Sequence, residues 1–115
     1  MIATILTLVV AAIHLYFTLL EMVRWEHPRT RAIFGTTAEM AAETKVMAAN
    51  QGLYNAFLAV GLIFGAATGN TPMVAFLLAC VIVAGAYAAT TMGKRVLLVQ
   101  SLPAVLALGA LALGI

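Results

Sequence analysis

Charge is what this sequence has least of. Lysine and arginine number 6 and the acids 4 in 115 residues, so that 9% of the chain is charged. Soluble domains carry about a quarter, because a surface facing water has to be covered with polar groups. With 64% hydrophobic residues and a mean hydropathy of +1.10, the composition excludes an ordinary water-facing exterior and leaves lipid as the solvent for most of the chain. A single cysteine, Cys80, excludes an internal disulfide and a thiolate-rich metal site. No HExxH or paired-histidine spacing is present. His14 and Glu21 share a helical face but stand roughly 10 Å apart in rise, too far to chelate one ion together, so no metal is expected. The bases Arg24, Arg29, Arg31, Lys45, Lys94 and Arg95 fall in two short windows rather than one stripe, which argues against a nucleic-acid partner.

What is present is long apolar runs. A helical span takes roughly 20 mostly apolar residues to cross about 30 Å of hydrocarbon. Four stretches meet this, at about 2–23, 46–68, 73–92 and 96–114. They lack the alternation of barrel strands. The expected fold is all-α: a polytopic membrane protein with four transmembrane helices in an up-down bundle, forming a single domain over residues 1–115. The N-terminus lacks a basic region and a small-residue cleavage site, so residues 1–23 read as a retained span and not as a signal peptide. Pro72 suits the first turn of the third span. Thr36-Thr37-Ala38-Glu39 has capping-box form and sets the start of the second helix near 37, inside an interfacial connector at 24–45. Ile33 and Phe34 are placed beside Trp25 at the headgroups, where aromatics anchor.

Basic residues in short loops favour the cytoplasmic side. The first connector has Arg24, Arg29, Arg31 and Lys45, the third has Lys94 and Arg95, and the second and both tails have none. One orientation satisfies every base: N- and C-termini on the outer side of a bacterial inner membrane, connectors one and three in the cytoplasm.

At about 100° per residue, Thr7, His14, Thr18, Glu21 and Trp25 share a stripe on helix one. Glu39, Glu43, Asn50 and Tyr54 share a face of helix two, with Gln51 and Asn55 on its flank. Cys80, Ala84, Tyr87 and Thr91 align on helix three, and Gln100 and Ser101 lie a turn above Arg95. Counted from the cytoplasmic ends, Glu21, Asn50, Gln51, Tyr87 and Gln100 lie at a similar shallow depth, with Tyr54 and Asn55 slightly deeper and His14 near the midplane. The pattern suggests one polar cavity open toward the cytoplasm. Interhelical hydrogen bonding alone also accounts for Asn, Gln, Tyr and Thr in such helices, but a carboxyl group inside a bilayer usually pairs or serves a function. Gly61-Leu-Ile-Phe-Gly65 and the small residues Ala84, Gly85, Ala88 and Ala89 allow close helix approach, within the chain or between copies. Because four thin helices enclose little volume, a homo-oligomer is expected.

The segments HLYF, EMVRWEHPRTRAIFG, NQGLYNAFLA and LLVQSLPA together resemble a family of small bacterial membrane proteins known as domain-of-unknown-function family 1304. The resemblance covers nearly the whole chain and is most specific at Asn50–Asn55. It implies the architecture and no chemistry, and it marks His14, Tyr16, Glu21, Trp25, Asn50, Gln51, Tyr54, Asn55 and Gln100. More distantly, the chain is similar to the membrane-associated eicosanoid and glutathione enzymes, trimers of four-helix subunits with outer termini and sites facing the cytosol. Their arginine, asparagine and glutamate on helix two correspond here to Lys45, Asn50 and no acid, so glutathione binding does not carry over. By analogy with small membrane isomerases, a haem between subunits would need His14 as axial ligand; it is the lesser alternative, and no cofactor is expected.

Three functions fit these residues. The first is an enzyme or binding protein for a lipophilic small molecule entering from membrane lipid. In it Glu21 is the acid or base, Tyr54 or Tyr87 polarises an oxygen, and His14, Trp25, Asn50, Gln51, Asn55 and Gln100 contact the ligand. The second is a small proton-coupled exporter. Against it stand the position of Glu21 near one helix end, where alternating access favours the midplane, and a charge bias that disfavours dual orientation. The third is a structural subunit of a membrane complex. The sequence does not decide between enzyme and binder.

Overall fold

The computed structural model describes all 115 residues, and they form helices and no strands. In chain order these are α1 (Ile2–Met22), α2 (Pro28–Phe34), α3 (Ala38–Thr68), α4 (Thr71–Met92), a π-helical turn (Leu97–Ser101) and α5 (Leu102–Leu113). Three of them, α1, α3 and α4, are long and apolar enough to cross a membrane. The apolar stretch Leu97–Leu113 is shorter; at about 1.5 Å per residue it falls a few ångströms short of the roughly 30 Å of hydrocarbon.

The helix ends follow local chemistry. Asn70 caps α4 by accepting the Met73 N–H at 3.2 Å, with Pro72 in the first turn, where its missing N–H is no loss. At α3 the cap differs from the capping box expected on Thr36 and Glu39. Thr37 Oγ1 accepts the Met40 N–H at 3.1 Å, while the buried Thr36 hydroxyl makes no hydrogen bond. The π-helical turn answers Pro103. A proline inside a helix cannot donate and its ring crowds the carbonyl four residues back; widening the preceding turn, with the Leu102 N–H reaching Leu97 O, relieves that crowding.

The chain divides into two compact units. The first comprises Met1–Ile13 and Leu58–Ile115. Its core is Val10, Ala11, Ala59, Leu62, Val74, Leu78, Val81, Ala104 and Ala107. On α4 the buried positions are Val74, Leu78, Val81 and Gly85, a stripe at helical spacing. Small residues set the approach distance. A Cβ on Gly61 would fall 2.7 Å from Leu77 Cδ1, and one on Gly65 would fall 2.8 Å from Val74 Cγ2. The GxxxG sequence thus packs α3 on α4 within one chain. Gly85 in turn accommodates Ser101, whose Oγ donates to Ile82 O at 3.2 Å. The Met1 amino group and the Ile2 N–H both donate to Ile115 O at 2.9 Å, which ties the two ends together.

The second unit is His14–Phe57. It holds the end of α1, the short helix α2 and the first part of α3. Its inward α3 positions are Ala41, Ala48, Gly52 and Asn55, three of them small enough to let α1 come close. α2 is a separate helix within the connector at 24–45, beyond the single helix start near 37 that the capping pattern implies. His27 caps it with Nδ1, Pro28 opens it, and Gly35 closes it at φ 69°, a left-handed conformation that favours glycine.

Candidate functional site

The polar contacts of the second unit gather where α1 runs beside α3. In an antiparallel helix pair each side chain leans toward its own N-terminus, so Glu21 on α1 and Asn55 on α3 lean toward one another. Asn55 Nδ2 donates to Glu21 Oε1 at 2.5 Å, and both residues are buried. Beside them the Thr18 hydroxyl is placed to share its hydrogen between His14 O at 3.0 Å and Gly52 O at 2.9 Å. Gly52 makes this possible, because a Cβ there would fall 2.5 Å from Met22 Cγ and 3.1 Å from Glu21 Cβ. Any larger residue would push the helices apart and lengthen both hydrogen bonds.

Glu21 Oε2 and Asn55 Oδ1 make no hydrogen bond to the protein. A carboxyl and a carboxamide oriented by each other therefore present one free oxygen each. Chemically such a pair can hold a proton, accept from a hydroxyl or amine, or orient a polar head group. His14 is wholly buried a turn and more away, its ring edge-on to Phe17 with centroids 5.7 Å apart.

Toward the end of α1, Trp25 donates from Nε1 to Thr44 Oγ1 at 3.1 Å and packs on Phe34 with centroids 4.9 Å apart. Phe34 thus does lie beside Trp25. Glu26 pairs with Lys45 at 3.4 Å, and its carbonyl accepts from Arg31 Nε at 3.2 Å. A cleft of about 310 Å³ opens at this corner, lined by Met22, Val23, Arg24, Trp25, Glu26, His27 and Lys45.

The remaining residues singled out in the sequence lie elsewhere. Asn50, Gln51 and Tyr54 are exposed along α3, with Asn50 Nδ2 turned back to Val46 O at 3.0 Å and Tyr54 edge-on to Phe57. Tyr16 is half exposed. Tyr87, in the first unit, is 74% exposed, and Gln100 is half-buried within the π-helical turn. Thr18 and Gly52 complete the Glu21 cluster. Thr18 was on the α1 stripe, and Gly52 sits inside the NQGLYN run, yet neither carried a role in the sequence. No three histidine, cysteine or acidic side chains come together as a group that could hold a metal ion.

A family model described as "Protein of unknown function (DUF1304)" matches residues 8–112. The chain belongs to this family. No curated protein and no solved structure matches it. The match to the DUF1304 family spans the whole of the Glu21–Asn55 cluster and the corner beside it, and its description assigns no activity to either.

Proposed function

We propose that this chain is an integral protein of the bacterial inner membrane that binds or converts a lipophilic small molecule at the Glu21–Asn55 pair. In this reading four helices cross the bilayer in up-down order, with the N- and C-termini on the outer side. The stretch Leu97–Leu113 serves as the fourth crossing, since a bilayer thins by a few ångströms around a short helix at modest cost and Lys94 and Arg95 can snorkel to the interface. The clustering of all bases between α1 and the apolar part of α3, and between α4 and the π-helical turn, supports the orientation.

The observation that carries the reading is the buried hydrogen bond between Glu21 and Asn55 on two long, mostly apolar helices. A carboxyl at such a place costs roughly a few kcal/mol, and interhelical bonding alone returns about 0.6–2 kcal/mol. A chain needing only a helix clamp could use two apolar residues instead. Glu21 Oε2 is then the proton acceptor or donor toward a ligand, and Asn55 fixes the carboxyl.

The exposed amides and phenol on α3 belong to the same proposal. Asn50, Gln51 and Tyr54 are exposed, and lipid tails cannot satisfy their remaining polar groups. Amides both donate and accept, so a second copy of the same face complements them, and the protein works as a homo-oligomer.

Native mass spectrometry of the protein released from mild detergent tests the function. The wild type should retain a lipophilic species other than phospholipid, and Glu21→Gln and Asn55→Ala should lose it while remaining folded. A wild type that carries nothing, or variants that keep the species, would discard the proposal.

A further inference from the structure

The cleft at the α1–α2 corner has a second, separate chemistry. Its polar lining is almost entirely hydrogen-bond donors. The Arg24 guanidinium makes no ion pair or hydrogen bond within the chain. Lys45 spends one contact on Glu26 at 3.4 Å and keeps the rest of its ammonium donors. His27 accepts the Arg29 N–H on Nδ1 at 3.2 Å, which leaves Nε2 to carry the ring hydrogen in the neutral form. The only acidic side chain there, Glu26, is the one already paired. Two cations thus stand against one engaged carboxylate, and apolar Met22 and Val23 form the adjoining wall.

We propose that this cleft binds a phosphate-bearing head group, held by Arg24 and Lys45 with His27 as a further donor. The guanidinium fork matches two phosphate oxygens and the ammonium adds a point charge. The exposed Val23 and Met22 give an acyl chain somewhere to lie, so an acidic phospholipid is one source of the group and free phosphate is the other. The proposal is independent of the Glu21–Asn55 pair. Its lipid source rests on the membrane reading above, whereas its phosphate source does not.

Trp25 is the chain's one tryptophan and lines the cleft, so its emission reports occupancy directly. The full chain in nanodiscs of phosphatidylcholine is titrated with brominated phosphatidylglycerol or brominated phosphatidylcholine, and in detergent with inorganic phosphate. One basic side chain near an anionic surface favours binding by roughly fivefold. The acidic lipid should therefore quench Trp25 at about fivefold lower mole fraction than the zwitterionic one. Arg24→Gln and Lys45→Gln should each reduce this preference. Glu26→Gln frees Lys45 and should increase it, a gain that misfolding cannot imitate. The exposed pair Lys94 and Arg95 carries the control: replacing both by Gln should leave Trp25 quenching unchanged, which separates a site from general surface charge. If the two lipids quench alike but phosphate shifts the emission in an Arg24-dependent way, the site takes the free ion. Equal quenching together with no response to phosphate, or a preference that survives Arg24→Gln combined with Lys45→Gln, overturns the proposal.

Discussion

Gly52 lies against Met22 so closely that a Cβ at position 52 would sit 2.5 Å from Met22 Cγ and 3.3 Å from the Met22 backbone nitrogen. The methionine side chain can yield, but the backbone of α1 cannot. Alanine gains about 1 kcal/mol over glycine in helix propensity, which only partly offsets its crowding against Met22 Cγ, Glu21 Cβ and the α1 backbone, so Gly52→Ala should be mildly destabilising. Gly52→Val has no such compensation and should destabilise by about 1–3 kcal/mol. Thermal unfolding in detergent measures both; a valine variant that melts with the wild type would show that α1 and α3 are not in contact there.

The Glu21–Asn55 bond should behave as a coupled pair. Asn55→Leu strands the carboxyl in buried surroundings and should cost about 1–3 kcal/mol, whereas Glu21→Leu combined with Asn55→Leu removes both polar partners and should lie nearer to the wild type. A double-mutant cycle followed by denaturing-detergent titration reads the coupling, expected at about 0.5–3 kcal/mol for residues in contact. A value indistinguishable from zero would contradict the hydrogen bond.

On α1 the polar stripe was legible because helical spacing alone sets it: Thr7, His14 and Glu21 are buried, and Thr18 and Trp25 half-buried. The helices themselves were also readable. The stretches at 2–23 and 73–92 are α1 and α4 within two residues, and the start near 37 is the start of α3. On α3 polarity misled. The face drawn through Glu39, Glu43, Asn50 and Tyr54 is exposed, and the inward one is Ala41, Ala48, Gly52 and Asn55. Between apolar helices it is the small side chains that decide which faces touch, and Asn55 is buried because it lies on their line. Two further features have purely local causes. Pro28 and Gly35 bracket α2, and Pro103 demanded a loosened turn before it.

Gly85 and Ser101 make a second close approach. A Cβ on Gly85 would meet Ser101 Oγ, with Ser101 Cβ and N each at 3.3 Å. Gly85→Ala forces the hydroxyl off Ile82 O and should lower the unfolding temperature. In a Ser101→Ala background the same change should cost at least about 1 kcal/mol less, in line with neighbouring residues coupling. Equal costs in the two backgrounds would mean the serine is not what fills that space.

Topology reporters address the orientation. With both termini outside, alkaline phosphatase fused after Ile115 should be active and a fluorescent protein fused there dark. Fusions within the connector carrying Arg29 and Arg31 should give the reverse. Reversing the charge bias by moving Lys94 and Arg95 to the Gly69–Asn70 turn should weaken the preference, because basic residues near span ends set it. A fluorescent carboxyl-terminal fusion would place the termini in the cytoplasm and remove the proposed orientation.

Self-association through α3 is testable without knowing the ligand. With Cys80 replaced by alanine, a cysteine at position 50 should form disulfide-linked dimers in oxidised membranes, whereas one at Val83, 68% exposed on α4, should not. Asn50→Leu with Gln51→Leu removes the amides that lipid cannot satisfy, so the monomer becomes tolerable in lipid and the oligomer should weaken by about 0.6–2 kcal/mol per lost interhelical bond. Native mass spectrometry counts the copies. A wild type that is monomeric across mild detergents, with position 50 no more reactive than position 83, would leave those amides facing lipid and end the case for a second copy.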